Sequence, residues 1–228
     1  MRDKVDIKTY IKSCLVNIAG VDLYILDLDL LNECSDLFIE NLSNDELYKA
    51  FKILKIKRKK LYILRKGVLR LILSEYLRKP CGNIEFFKNK YGKLYLMSDP
   101  TLYLNLSHSG RYYAIAISKH REVGVDIQVI KDNISMDSII KVIGNEEEID
   151  YISNSIGFEK KERFFRVWSA KEAVSKLLGY GLSMNVQGFS VLSNVIKYKL
   201  ITINLVYETI DDKYVYALAV EEDKVAGS

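Results

Sequence analysis

A chain of 228 residues, 49% of them hydrophobic and with a formal net charge of +4, has room for one large or two small domains and is too apolar for intrinsic disorder. No apolar run reaches the length of a membrane span. The N-terminal Met1-Arg2-Asp3-Lys4-Val5-Asp6 is too charged for a signal peptide, so a cytoplasmic protein without membrane attachment is expected. The mild basic excess suits an anionic ligand or an acidic protein partner and is too small to indicate nucleic acid.

Taken in chain order, Val21 to Leu28 reads as an early strand. Ser43-Asn44-Asp45-Glu46 is a capping box that opens a helix, and the helical pattern continues to about Lys79, where Pro80 and Gly82 stop it. That length predicts two helices, broken near the charged run Lys55 to Lys60. Ile84–Phe87 and Leu94–Leu96 read as strands around the turn Lys90-Tyr91-Gly92-Lys93. Tyr103–Ser107 and Tyr113–Ser118 form a second pair around Ser109-Gly110. Val123, Val125, Ile127 and Val129 then alternate with Gly124, Asp126 and Gln128, the pattern of a strand with two distinct faces.

Asn145 is placed to cap a short helix at Glu146-Glu147-Glu148. A long helix is predicted from about Glu159 to Leu178, closed by Gly179 and Gly181. Strands are predicted at Gly188–Leu192, Leu200–Leu205 and Tyr214–Val220. Each half thus holds helices and several strands. The fold expected is α+β, in two similarly built halves, 1–118 and 119–228. Cys14, Cys34 and Cys81 are odd in number and lack paired spacing, so reduced thiols are expected, not disulfides or zinc ligands.

Candidate chemistry gathers at a few positions. Trp168, Glu172 and Lys176 are spaced by four and share one helix face, and Asp126 and Gln128 share one strand face. Two carboxylates and an amide suit a hard divalent cation, and a lysine beside them suits a phosphate. Singly, each has a plainer reading: a polar strand face, or a helix-surface Glu–Lys pair. Ser107-His108-Ser109 holds one of the two histidines. It lacks a nucleophile-elbow context and reads as a turn or as a set of phosphate donors. The basic stretch Lys55, Lys57, Arg58, Lys59, Lys60, followed by Arg65, Lys66 and Arg70, reads as a solvated helix face or as an attractor of phosphates and acidic proteins.

Together Tyr91-Gly92-Lys93, Asn105-Leu106-Ser107-His108-Ser109-Gly110, Gly124-Val125-Asp126-Ile127 and Trp168-Ser169-Ala170-Lys171-Glu172-Ala173 through Lys176 resemble the 4′-phosphopantetheinyl transferase superfamily, in its larger, Sfp-type branch. Order and spacing match over roughly residues 42 to 192. The resemblance implies a pseudo-dimeric fold with the active site in the cleft between the halves. It implies transfer of 4′-phosphopantetheine from coenzyme A to a serine of an apo acyl or peptidyl carrier protein, by a monomer that depends on Mg²⁺, with Mn²⁺ as a substitute. By matching position, Asp126 and Glu172 would bind the metal, with Gln128 standing where many members carry a third acid. Ser107, His108 and Lys93 would hold coenzyme A phosphates, Lys176 the pyrophosphate, and Arg65 a further phosphate. Glu172 is the expected base and Lys176 its catalytic companion. The reading from another class is a non-catalytic basic module that binds nucleotides or acidic proteins.

Overall fold

The computed structural model describes residues 9–11, 14–181 and 184–222. Two four-stranded sheets form its centre. The first orders β1 (Leu15–Ile18), β2 (Val21–Asp27), β6 (Tyr112–Lys119) and β5 (Leu102–Ser109) as β1-β2-β6-β5. The second orders β7 (Val123–Val129), β10 (Tyr214–Glu221), β9 (Ile201–Ile210) and β8 (Val195–Tyr198) as β7-β10-β9-β8. A short hairpin of β3 (Phe86–Lys88) and β4 (Leu94–Leu96) stands apart. Every paired strand is antiparallel.

Helix α1 (Asn44–Lys52) opens with the expected capping box, in which Ser43 and Glu46 satisfy each other's backbone amides. The break falls just ahead of the charged run, where Ile53 and Lys55 are extended. Helix α2 (Ile56–Leu77) follows. Helix α3 (Met136–Ile143), which the sequence reading lacked, precedes α4 (Glu146–Ser153), capped by Asn145 as expected. Helix α5 (Gly157–Leu178) ends at Gly179, whose φ of 69° is the left-handed value that favours glycine.

Each sheet is covered on one face by its own long helix, and the other faces meet. Strand alternation makes this arrangement. Tyr113, Ile115 and Ile117 of β6 point to the core under α2, while Tyr112, Ala114 and Ala116 point to a central layer. Val215, Ala217 and Ala219 of β10 point to the core under α5, while Tyr216, Leu218 and Val220 join the same central layer. This is an α+β fold of two sheet-containing halves, each a sheet backed by a 22-residue helix. No helix among the described residues is long and apolar enough to cross a membrane.

The predicted strand at Gly188–Leu192 is absent. That stretch follows a short 3₁₀ turn, Val186–Gly188, and runs as irregular chain. Side chains replace its ladder bonds: Lys171 Nζ donates to the carbonyls of Val186 and Phe189, and Val191 N–H donates 2.8 Å to Glu148 Oε1. Phe189 and Val191 are still buried, which explains the strand-like apolar pattern.

Candidate functional site

The site lies where edge strand β5 runs beside edge strand β7. No backbone ladder joins them. Three alternate side chains of β5 do so, each accepting an amide of β7: Asn105 Oδ1 from Val125 (3.0 Å), Ser107 Oγ from Ile127 (3.3 Å) and Ser109 Oγ from Val129 (3.0 Å). Val123, Val125 and Ile127 face the central layer. Asp126 and Gln128 therefore face α5, which presses close because Gly124 has no side chain. A Cβ there would stand 1.9 Å from the Ala173 carbonyl oxygen and 2.5 Å from Leu177 N. That contact sets Glu172 and Lys176 against β7.

Asp126 is buried and fully engaged. Its Oδ1 accepts from Ser107 Oγ at 2.8 Å and from Lys176 Nζ at 2.6 Å, and its Oδ2 accepts from Gln128 Nε2 at 2.9 Å. Gln128 thus acts here as a donor that steadies Asp126. Lys176 also donates 3.0 Å to Ser107 Oγ and 3.0 Å to the Val125 carbonyl. Ser107 is saturated: a hydroxyl has one proton and two acceptor positions. Asp126 takes the proton, and Ile127 N–H and Lys176 take the acceptors. The plainer alternative, a helix-surface pair of Glu172 with Lys176, does not form among the described residues, since the ammonium turns to the strand. Glu172 is half-buried and has no hydrogen-bond or ion-pair partner among the described residues. Burial, then the charge of Asp126, raise its pKa, against the pull of Lys176.

Two close carboxylates, one of them partnerless, and a neighbouring amide make an oxygen donor set that fits a hard divalent cation. Among the described residues no three His, Cys, Asp or Glu side chains group as a metal site.

Beside this cluster opens a cavity of about 320 Å³, lined by α2 through Lys66, by Lys88, by the Tyr91–Leu94 turn, by Leu104–Leu106, and by Lys176, Gly179 and Gly181. Lys66 belongs to the basic stretch that the sequence offered as a phosphate attractor; Lys88 was missed by sequence reading, because one lysine among many carries no signal until the fold turns it toward a cavity. Tyr91 and Tyr180 meet edge-on beside it, 5.7 Å between centroids. Lys93 lines the same space but is differently occupied from the sequence expectation. Its side chain is 4% exposed, and its ammonium binds Glu122 and the carbonyls of Val123 (3.4 Å) and Leu177 (2.6 Å). Desolvation lowers its pKa, with Glu122 opposing. Arg65 is half-buried, its Nε donates to the Leu61 carbonyl, and it has no carboxylate partner among the described residues. His108 is exposed at the end of β5; partial desolvation and then the Arg65 and Lys176 cations lower its pKa.

Residues 122–220 match the family model of the 4′-phosphopantetheinyl transferase superfamily. The chain is similar to the 4′-phosphopantetheinyl transferase HetI of Nostoc sp. (strain PCC 7120 / SAG 25.82 / UTEX 2576), 29% identical over 62% of this chain and 61% of the relative. The 4′-phosphopantetheinyl transferase gsp of Aneurinibacillus migulanus is 29% identical over 68% of this chain and 63% of the relative. The 4′-phosphopantetheinyl transferase Sfp of Bacillus subtilis (strain 168) is 26% identical over 73% of each. The chain thus spans about three-fifths of the length of the first two relatives.

Proposed function

We propose that the chain belongs to the 4′-phosphopantetheinyl transferase superfamily, in its Sfp-type branch, as its similarity to the family model and to the Sfp relative supports, and that it transfers 4′-phosphopantetheine from coenzyme A to a serine hydroxyl of an apo acyl or peptidyl carrier protein. The observation that carries this reading is the Glu172 carboxylate beside Asp126, without a partner among the described residues, next to a cavity fringed by Lys66, Lys88 and Lys176. Division into an N-terminal half, 1–118, that binds the nucleotide and a C-terminal half, 119–228, that binds the metal belongs to the same proposal.

In this reading the serine oxygen attacks the β-phosphorus of coenzyme A, and the bond from that phosphorus to the bridging oxygen breaks, releasing adenosine 3′,5′-bisphosphate. Mg²⁺ would be held by Asp126 and Glu172 with Gln128 beside them, and when bound it would neutralise charge on the pyrophosphate. Glu172 takes the serine proton. Lys176, released from Asp126, offsets charge on the leaving phosphate. Ser107 and Gln128 hold Asp126 in orientation. Lys66, Lys88, Arg65 and His108 supply positive charge and donors for the remaining phosphates. One chain provides every group, so the working unit is a monomer. The three free thiols support a cytoplasmic setting.

The test is to mix the protein with coenzyme A, Mg²⁺ and an apo acyl carrier protein and weigh the carrier. A gain of one phosphopantetheine mass is expected, and none from a folded Asp126→Ala protein. Coenzyme A binding without transfer by the parent would make the chain a binding module.

A further inference from the structure

A second cavity, of about 270 Å³, lies between α4, α5 and β9. Its walls are Tyr151 of α4, Arg166 and Val167 of α5, Val191 and Leu192 of the irregular chain, and Tyr207 of β9. It shares no lining residue with the cavity beside Lys176. Arg166 precedes Glu172 on α5, which places it about 9 Å back along the helix and about 240° round it. The walls are fastened together. Glu148 of α4 pairs with Lys171 of α5 and accepts the Val191 amide.

Two arginines of α5 near this cavity are occupied differently. Arg163 donates 2.7 Å to the Tyr151 carbonyl and 2.6 Å to Glu159, and its guanidinium carbon stands 4.5 Å from the Tyr151 ring centroid. The Arg166 guanidinium carbon stands 4.3 Å from the Tyr207 ring centroid. Among the described residues its N–H donors meet no acceptor, and its Nε is shut off from solvent. The nearest acid on its own helix, Glu162, is one turn back and accepts from Thr209 Oγ1 at 2.9 Å. Glu208, next to Tyr207, accepts from the Tyr216 hydroxyl at 3.0 Å. An aromatic face offsets part of a cation's charge but offers no carboxylate to the guanidinium fork. Charged side chains are seldom withdrawn from water without a partner.

We propose that this cavity binds a small organic monocarboxylate, with its carboxylate on Arg166 and its apolar tail against Val167, Val191 and Leu192. The planar fork of a guanidinium matches a carboxylate. One cation balances one negative charge, and Glu162 one turn away opposes a second, which disfavours a phosphate dianion. Aliphatic walls and two tyrosines suit an aliphatic or aromatic tail, and a volume just under the range of about 300–1,000 Å³ typical of drug-sized sites selects a small ligand. The proposal is independent of the transfer reading.

The experiment titrates the full chain with butyrate, hexanoate and benzoate. Hexanamide is the uncharged control and inorganic phosphate the alternative anion. Binding is followed by nuclear magnetic resonance at the isotope-labelled Arg166 Nε–H, assigned by its loss in Arg166→Met. At least one carboxylate should bind saturably, at least tenfold more tightly than hexanamide, and move that resonance. Arg166→Met and Leu192→Trp, the second of which fills the cavity from its exposed rim, should each weaken binding at least tenfold. Circular dichroism checks that each variant folds, and the titration of the parent decides alone if neither does. Saturating coenzyme A should leave the carboxylate Kd within about twofold. Absence of saturable carboxylate binding overturns the proposal. So does binding that hexanamide or phosphate equals, that coenzyme A displaces, or that survives in both folded variants.

Discussion

Two lysine–carboxylate pairs sit on α5, five residues apart in sequence. Lys171 meets Glu148 at 2.8 Å with side chains 2% and 0% exposed, and Lys176 meets Asp126 at 2.6 Å with side chains 28% and 3% exposed. The first pair is closed on every side. Glu148 also accepts the amides of Asn145 and Val191, and Lys171 also donates to the carbonyls of Val186 and Phe189. The pair thus fastens α4 and the irregular 186–191 chain to α5. The second pair closes on one side only. Its lysine fronts the cavity, and the half-buried Glu172 beside it has no donor among the described residues. One arrangement is a clamp; the other can exchange partners when a ligand arrives. The difference lies in how many donors and acceptors are already spent, not in residue type.

The largest effect should come from breaking the clamp. Glu148→Ala leaves a buried ammonium and two orphaned amides, so stability should fall by about 3–5 kcal/mol, read as an early transition in urea. The double variant Glu148→Leu/Lys171→Leu should stay destabilised, because each side chain also satisfies backbone groups that leucine cannot. Recovery to near parent stability would show that only the charge pair mattered.

A smaller effect, and one of a different kind, is expected at Ser107. If the saturated hydroxyl positions Asp126 and Lys176, Ser107→Ala should lower kcat about tenfold, near 1.4 kcal/mol, with coenzyme A KM within about threefold. The resemblance alone assigns Ser107 to a coenzyme A phosphate. On that assignment KM would rise while kcat stayed level, and this outcome would remove the positioning role.

Much of this was legible in the sequence, for reasons that can be named. Capping boxes at Ser43 and Asn145 and the glycine end of α5 are local signals, and the structure follows them. The alternation around Asp126 placed it on the face opposite Val125, where it lies. The failures are non-local. Gly188–Leu192 has a strand's apolar content, yet its amides and carbonyls are taken by Lys171 and Glu148 from elsewhere in the chain. Lys93 reads as a turn lysine, but Glu122, 29 residues on, draws it inside. The side-chain seam of Asn105, Ser107 and Ser109 needs two edge strands to meet, which no window of sequence displays.

The smallest effect should separate the two pairs by pH, through His108 on the open side. Partial desolvation, then Arg65 and Lys176, hold its pKa below the ordinary 6.5, with Asp126 opposing. Between that folded value and 6.5 the unfolded chain binds more protons. The contribution of His108 to stability is therefore intact above about pH 6.5 and is lost as pH falls toward the folded value. Because the imidazole is exposed, solvent screening keeps the effect small. His108→Asn should flatten the fall of Tm between pH 7 and pH 5 by no more than about 2 °C, and Glu148 variants should not change that slope. Saturating coenzyme A sharpens the test. Phosphates beside His108 favour the imidazolium and draw its pKa back up, so parent and variant should converge when the ligand is bound. A gap that persists unchanged with coenzyme A would place His108 outside the phosphate site, and an identical slope without ligand would assign the acid sensitivity to another group.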